Sequence, residues 1–284
     1  MLDVAINLYF RNLGSLLKIA AAVVLPVVAI VFLLDLLAFQ EAEASDPSAA
    51  LYQVGDSVQL LDETRFSLII GLETLIGVIG YLLVVGAVFR AASQAYVERS
   101  PETGASIRYA ARRMHSLLWV GFLFVLGVGL ATIALVLPGI WLFVAWSVAI
   151  PALMVEDVRG SKALGRSFGL VRHNWWRTFA ALLVGLIFIG LLQFLIGLLS
   201  GAADGLAEES VILWAGVYDV LNGISTIITA PLQAAIVTVI YYDLRVRKEG
   251  FDVELLTRGL EEGSSVPAQS AAPPPGSPGS PPSQ

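Results

Sequence analysis

The chain has 284 residues, 57% of them hydrophobic and 14% charged, with 23 acidic against 17 basic side chains and no cysteine. So few charged groups cannot cover a water-facing surface, whereas a lipid-facing one needs none, which excludes an ordinary soluble globular domain. The net charge of −6 disfavours nucleic acid as a partner, and the lack of cysteine removes disulfides, thiolate metal sites and cysteine nucleophiles together.

In chain order, the N-terminal segment with Val4, Leu8, Arg11 and Asn12 reads as a loose amphipathic stretch ahead of the first apolar run, Ile19 to Phe39. Ala42-Glu43-Ala44 after that run is a small-residue pattern of the kind signal peptidase cuts. The run has 21 residues. A signal-peptide core has roughly 7–15 and a membrane crossing about 20, so a retained first helix is expected. Loop 40–66 is acidic, and Leu51, Val54, Val58 and Leu61 recur in it at helical spacing, which predicts a short helix around Ala49 to Leu61.

Further crossings are expected at 68–89, 117–137, 140–155, 179–199 and 219–241, with the first at 19–39. The third and fourth are separated only by Pro138-Gly139, where a residue without an N–H followed by a permissive glycine is expected to reverse the chain. The predicted fold is all-α, a polytopic integral membrane bundle of six helices over residues 1–256. Residues 257–284 form a Pro, Ser, Gly and Ala tail whose composition predicts disorder.

Threaded this way, sixteen of the seventeen Lys and Arg residues fall on one side and only Arg65 on the other. Basic loops stay cytoplasmic, so both termini are expected inside a prokaryotic cell (inner) membrane, while the opposite face carries Glu41, Glu43, Asp46, Asp56, Asp62, Glu63, Asp204, Glu208 and Glu209. Two basic stretches, Ser106 to Ser116 and Ser161 to Arg172, place cations every three to four positions, opposite Ile107, Ala110, Ala111 and Met114 or Ala163, Leu164, Phe168 and Val171. These are expected to be interfacial helices with their cations towards anionic headgroups. With the N-terminal stretch they form three weakly similar copies of one unit, an amphipathic segment followed by a helical hairpin. Trp119, Trp175, Trp176 and Tyr241-Tyr242 are placed as an aromatic belt.

Two candidate sites follow. Guanidinium pairs phosphate bidentately, so Arg166, Arg172, Arg177, Arg245 and Arg247 are candidate contacts for a phospholipid headgroup. Polar groups at membrane depth are costly, and Asp35, Glu73, Gln193 and Asp219, with Asn222 near them, are candidates for an outward-facing intramembrane site for a cation, a proton or an amine. Structural roles compete with this: Asp35 and Asp219 are shallow enough to be wet, and Glu73 could bond a neighbouring helix. No catalytic constellation, metal-ligand spacing or nucleotide-binding loop is present, and the two histidines, His115 and His173, sit beside arginines in the amphipathic stretches.

Leu137-Pro138-Gly139-Ile140, Met154-Val155-Glu156, Ala163-Leu164-Gly165-Arg166-Ser167, Leu170 to Arg177 (LVRHNWWR) and Tyr241 to Asp252 (YYDLRVRKEGFD) together carry a resemblance. Over residues 1 to 256 the chain resembles the prokaryotic six-helix family labelled "glycerophosphoryl diester phosphodiesterase membrane domain". The resemblance implies fold and location. It does not imply phosphodiesterase chemistry, because the metal-binding carboxylates and paired histidines needed for that are missing and no cofactor is expected. The expected function is a non-enzymatic module that organises membrane lipid or a partner membrane protein through its basic interfacial helices. The alternative is a small-solute or lipid transporter using the acidic intramembrane site.

Overall fold

The structure, a computed structural model, describes residues 2–45, 63–97, 100–156, 158–202 and 211–250. Among them the regular structure is all helix, with no strand: α1 (Leu2–Arg11), α2 (Leu13–Ser45), α3 (Glu63–Tyr96), α4 (Thr103–Arg112), α5 (Met114–Ala134), α6 (Val136–Trp146), α7 (Ala149–Val155), α8 (Ser161–Val171), α9 (Trp175–Ala202) and α10 (Val211–Glu249). The expected helix at 49–61 and the tail at 257–284 lie outside the described residues.

Six stretches are long and apolar enough to cross a membrane: Leu13–Leu36, Ser67–Tyr96, Met114–Ala134, Val136–Val155, Trp175–Gly201 and Leu213–Glu249. Leu130, Ile133, Phe188, Phe194 and Leu198 are exposed on α5 and α9, a surface that water would penalise and acyl chains accept. The chain is a multi-pass membrane protein. Most of these helices run past the apolar segments read from the sequence, because backbone hydrogen bonding continues into the headgroup layer after hydropathy has fallen.

Small residues set the close contacts between crossings. A Cβ added at Gly80 of α3 would lie 2.7 Å from a Val27 methyl, and one at Gly223 of α10 would lie 2.9 Å from a Val28 methyl, so both helices press against α2. Pro231 lies within α10 and cannot give the Ile227 carbonyl its N–H. One residue on, the Ile228 carbonyl accepts a long hydrogen bond from the buried Tyr9 hydroxyl of α1 at 3.4 Å. Burial pushes the Tyr9 phenol above its ordinary range, which keeps it a neutral donor.

The reversal between the third and fourth crossings comes earlier than Pro138-Gly139. Leu135 is extended (φ −161°, ψ 138°) and forms the corner, while Pro138 falls in the first turn of α6, where a missing N–H costs nothing. Gly139 serves approach rather than reversal, since a Cβ there would meet the Thr132 Cα at 2.9 Å. The fourth crossing is itself broken: α6 stops at Trp146 and α7 starts at Ala149. Ser167 of α8 splints the gap, its buried Oγ donating to the Ala145 carbonyl (2.9 Å) and accepting from the Val148 N–H (3.2 Å). Pro151 adds to the break by denying the Ser147 carbonyl its helical donor.

α4 and α8 are the expected amphipathic helices, and α8 is packed deeper than an interfacial helix would be. Ala163, Leu164, Ser167, Leu170 and Val171 are buried against the bundle, leaving Lys162 and Arg172 exposed. On α1 the buried face is Ala5, Leu8 and Tyr9, while Val4 and Phe10 are exposed. Trp119 and Trp176 are exposed as a belt requires. Tyr241 and Tyr242 correct that expectation, being 0% and 2% exposed. Tyr242 stacks flat on Tyr96, with ring centroids 4.3 Å apart, so both tyrosines are part of the core.

The compact membrane unit spans Met1–Leu244, and a second unit begins at Arg245. In the latter the described residues close α10: Arg245 Nε donates to the Glu249 carboxylate at 3.2 Å, and Gly250 (φ 63°) takes the left-handed conformation that ends the helix.

Candidate functional site

The two ends of the bundle use charge in opposite ways. At the basic end, α7 finishes with Leu153, Met154 and Val155, whose carbonyls have no further turn to bond. Arg113 donates to the Leu153 carbonyl (3.2 Å) and Arg90 to the Met154 carbonyl (3.3 Å), a C-terminal cap made by two cations. Both guanidinium groups also sit against the Tyr109 ring, 4.4 and 4.6 Å from its centroid.

Glu156, the next residue, is the hub. Arg166 of α8 grips its carboxylate with Nε (2.6 Å) and Nη2 (3.0 Å), and the Tyr241 hydroxyl of α10 donates to the same carboxylate at 2.6 Å. A two-pronged guanidinium pair with a third donor is a strong arrangement, and it ties α7, α8 and α10 together. Arg177 at the start of α9 pairs with Asp243 at 3.3 Å. Of the arginines proposed for a lipid headgroup, Arg166 and Arg177 are therefore committed to protein carboxylates, while Arg172 is exposed. Arg245 and Arg247 belong to the second unit.

At the opposite end, α2, α3 and α10 converge. Asp35 lies within hydrogen-bonding range of both Glu73 and Asp219, and Glu73 also feels the Asp219 charge. All three are half-buried. One oxygen of Glu73 and one of Asp219 are shut away from solvent without a partner, and among the described residues no basic side chain pairs with any of the three. A cleft of about 180 Å³ runs from Asp219 and Asn222 between α2, α3 and α10, past Gly77 and Tyr81. Gln193 does not join them. Its side-chain oxygen accepts from Ser225 Oγ at 2.5 Å, and Ser225 lies six residues along α10 from Asp219, about 9 Å by helical rise.

Among the described residues no group of three His, Cys, Asp or Glu side chains is arranged to hold a metal ion. The cluster thus offers three carboxyl groups to a proton or to a small cation that needs no fixed ligand cage. No protein-family model, curated protein or solved structure matches the chain.

Sequence reasoning missed the Arg90 and Arg113 cap and the break at Ser147-Val148. The break had a signal: Pro151 stands four residues after Ser147, so one helical bond across that point was bound to be missing. The cap had none beyond one arginine near the end of α3 and another just before α5.

Proposed function

We propose that this protein is a small-solute transporter of the prokaryotic cell membrane, with its basic end and both termini cytoplasmic. Its working centre is the outward-facing cluster of Asp35, Glu73 and Asp219. The observation that carries this reading is the meeting of three carboxyl groups from three different crossings, with no described basic partner, beside a cleft. Charge at membrane depth is costly and is kept where an ion or proton moves. Adjacent carboxyl groups hold a proton or a monovalent cation between them, and its arrival or departure changes how tightly α2, α3 and α10 are drawn together. The activity assigned is binding and translocation, without bond cleavage.

Labelling with a hydrophobic carbodiimide, read by peptide mass spectrometry, tests this in reconstituted vesicles. Glu73 is expected to be modified, and added sodium, potassium or a small alkylammonium ion, or a change of pH, is expected to protect it. Charge movement on a solid-supported membrane under the same ion gradient should accompany protection. Labelling indifferent to every cation and to pH, with no charge movement, would sink the proposal.

A second reading, organisation of anionic lipid, is supported by Arg108, Arg112, Lys162 and Arg172, which stand exposed along α4 and α8. It is consistent with the resemblance to the six-helix membrane family. Native mass spectrometry of protein released from its own membrane tests it. A stoichiometric anionic phospholipid that is lost when these four are replaced by Gln supports lipid organisation, and its persistence opposes it.

A further inference from the structure

A cavity of about 340 Å³ lies inside the membrane unit, away from the carboxyl cluster. Its walls come from α3, α5, α6, α7, α9 and α10 and are almost wholly apolar, with Phe89, Phe124, Phe143 and Trp146 supplying aromatic faces. Two polar residues line it, apart from the rim tyrosine: Gln233 of α10 and Ser147 in the break of the fourth crossing. Gln233 lies eight residues before Tyr241 and Ser147 eight before Val155, so both are about 12 Å from the basic end, well within the hydrocarbon.

The backbone is broken at this level on one side, where α6 gives way to α7 at Ser147-Val148, and on the other Pro231, two residues before Gln233, removes one hydrogen bond from the continuous α10. Ser147 Oγ donates to the Val144 carbonyl at 2.9 Å, which leaves its lone pairs open to a donor. Broken helices at membrane depth are tolerated where they line a cavity, and in transporters such places hold ligands.

The mouth decides what can enter. Tyr81, Val125 and Leu186 are the exposed members of the lining, and Val125 is 72% exposed. Val125 is eleven residues from the start of α5 and Leu186 eleven from the start of α9, which puts the opening about 17 Å from the basic end, mid-bilayer. An occupant comes from the lipid phase rather than from water. No carboxylate, amine or guanidinium lines the walls to neutralise a charge.

The geometry points to a binding site for an uncharged, membrane-soluble molecule with an apolar body and one hydroxyl or carbonyl group, which hydrogen-bonds the Gln233 amide inside the bundle. A lipid alcohol can also donate to the Ser147 oxygen, whereas a quinone-type lipid, whose carbonyls only accept, meets the Gln233 amide alone.

Photolabelling of the full-length protein in vesicles tests it, using a diazirine-bearing long-chain alcohol, a diazirine-bearing isoprenoid benzoquinone and a diazirine alkane of matched length. Adducts of the alcohol or the quinone are expected on α5, α6 and α9 around the cavity, and which of the two labels more strongly identifies the source. Gln233→Leu should cut labelling by that probe roughly five- to tenfold, the worth of one neutral hydrogen bond in an apolar site, and leave the alkane unchanged. Gly121→Leu should abolish labelling by filling the space, since a Cβ there meets only the Leu82 side chain at 3.5 Å. If that variant does not fold, Val125→Trp at the mouth replaces it. Equal labelling by all three probes, unaltered by Gln233→Leu, would overturn the inference, because the cavity would then be an ordinary lipid-filled groove.

Discussion

The basic end and the opposite end of this bundle each gather charged groups from several helices, and they differ in what those groups face. At the basic end Glu156 faces Arg166 and Asp243 faces Arg177. At the other end Asp35 faces Glu73 and Asp219. Opposite charges brought together stabilise an assembly, whereas like charges brought together cost energy that something else must offset. On the proposed function, the contrast separates groups that hold the helices in place from groups that respond to a ligand.

Breaking the basic end should have the largest effect. Glu156→Ala removes the carboxylate that the Arg166 guanidinium and the Tyr241 hydroxyl both bond, for a loss of about 3 kcal/mol, at the low end for a buried pair because both side chains keep some exposure. Thermal unfolding in detergent measures it. The double variant Glu156→Ala with Arg166→Ala should cost clearly less than the sum of the two single changes, because the shared pair is then lost only once. Strict additivity would mean that the pair is not coupled.

Ser167→Ala comes next, at about 2 kcal/mol, because it leaves the Val148 N–H and the Ala145 carbonyl unpaired at the break. Ser167→Thr keeps the hydroxyl and should recover part of the loss. Gly139→Ala should cost about 1.5 kcal/mol, since the new methyl meets the Thr132 backbone, which cannot step aside as a flexible side chain would. Both effects are read in the same unfolding measurement. Neither should change carbodiimide labelling of Glu73, because neither residue lies on α2, α3 or α10, which carry the carboxyl cluster.

The crossings were legible because hydropathy over some twenty residues is a property of the segment itself. The uneven split of Lys and Arg between the two sides was legible for the same reason, as each loop carries its own charges. Contacts were harder. Glu156, Arg166, Ser167, Tyr241, Tyr242 and Asp243 all belong to the stretches that carry the family resemblance, yet nothing in the sequence says that they touch. Tyr241-Tyr242 read as a belt because an aromatic pair beside arginines fits one, and only packing against Tyr96 reveals burial. Helical rise put Asp35, Glu73 and Gln193 at similar depth, and depth cannot say which way a side chain points. That is why Asp35 and Glu73 meet while Gln193 turns to Ser225.

The smallest effect on stability is the most informative. Glu73→Gln keeps the size of the side chain and removes one of three mutually repelling groups, so the unfolding free energy should stay within about 0.5 kcal/mol of the parent or rise slightly. The same change should abolish carbodiimide labelling at that position and reduce ion-driven charge movement. A stability loss rivalling that of Glu156→Ala would break the contrast from the other side, making the carboxyl cluster one more interhelical fastening. Unchanged stability with lost charge movement would mean that the bundle is held at its basic end and acts at the other, and that the cost of assembling three acids is met by the close packing of α2 with Gly80 and Gly223.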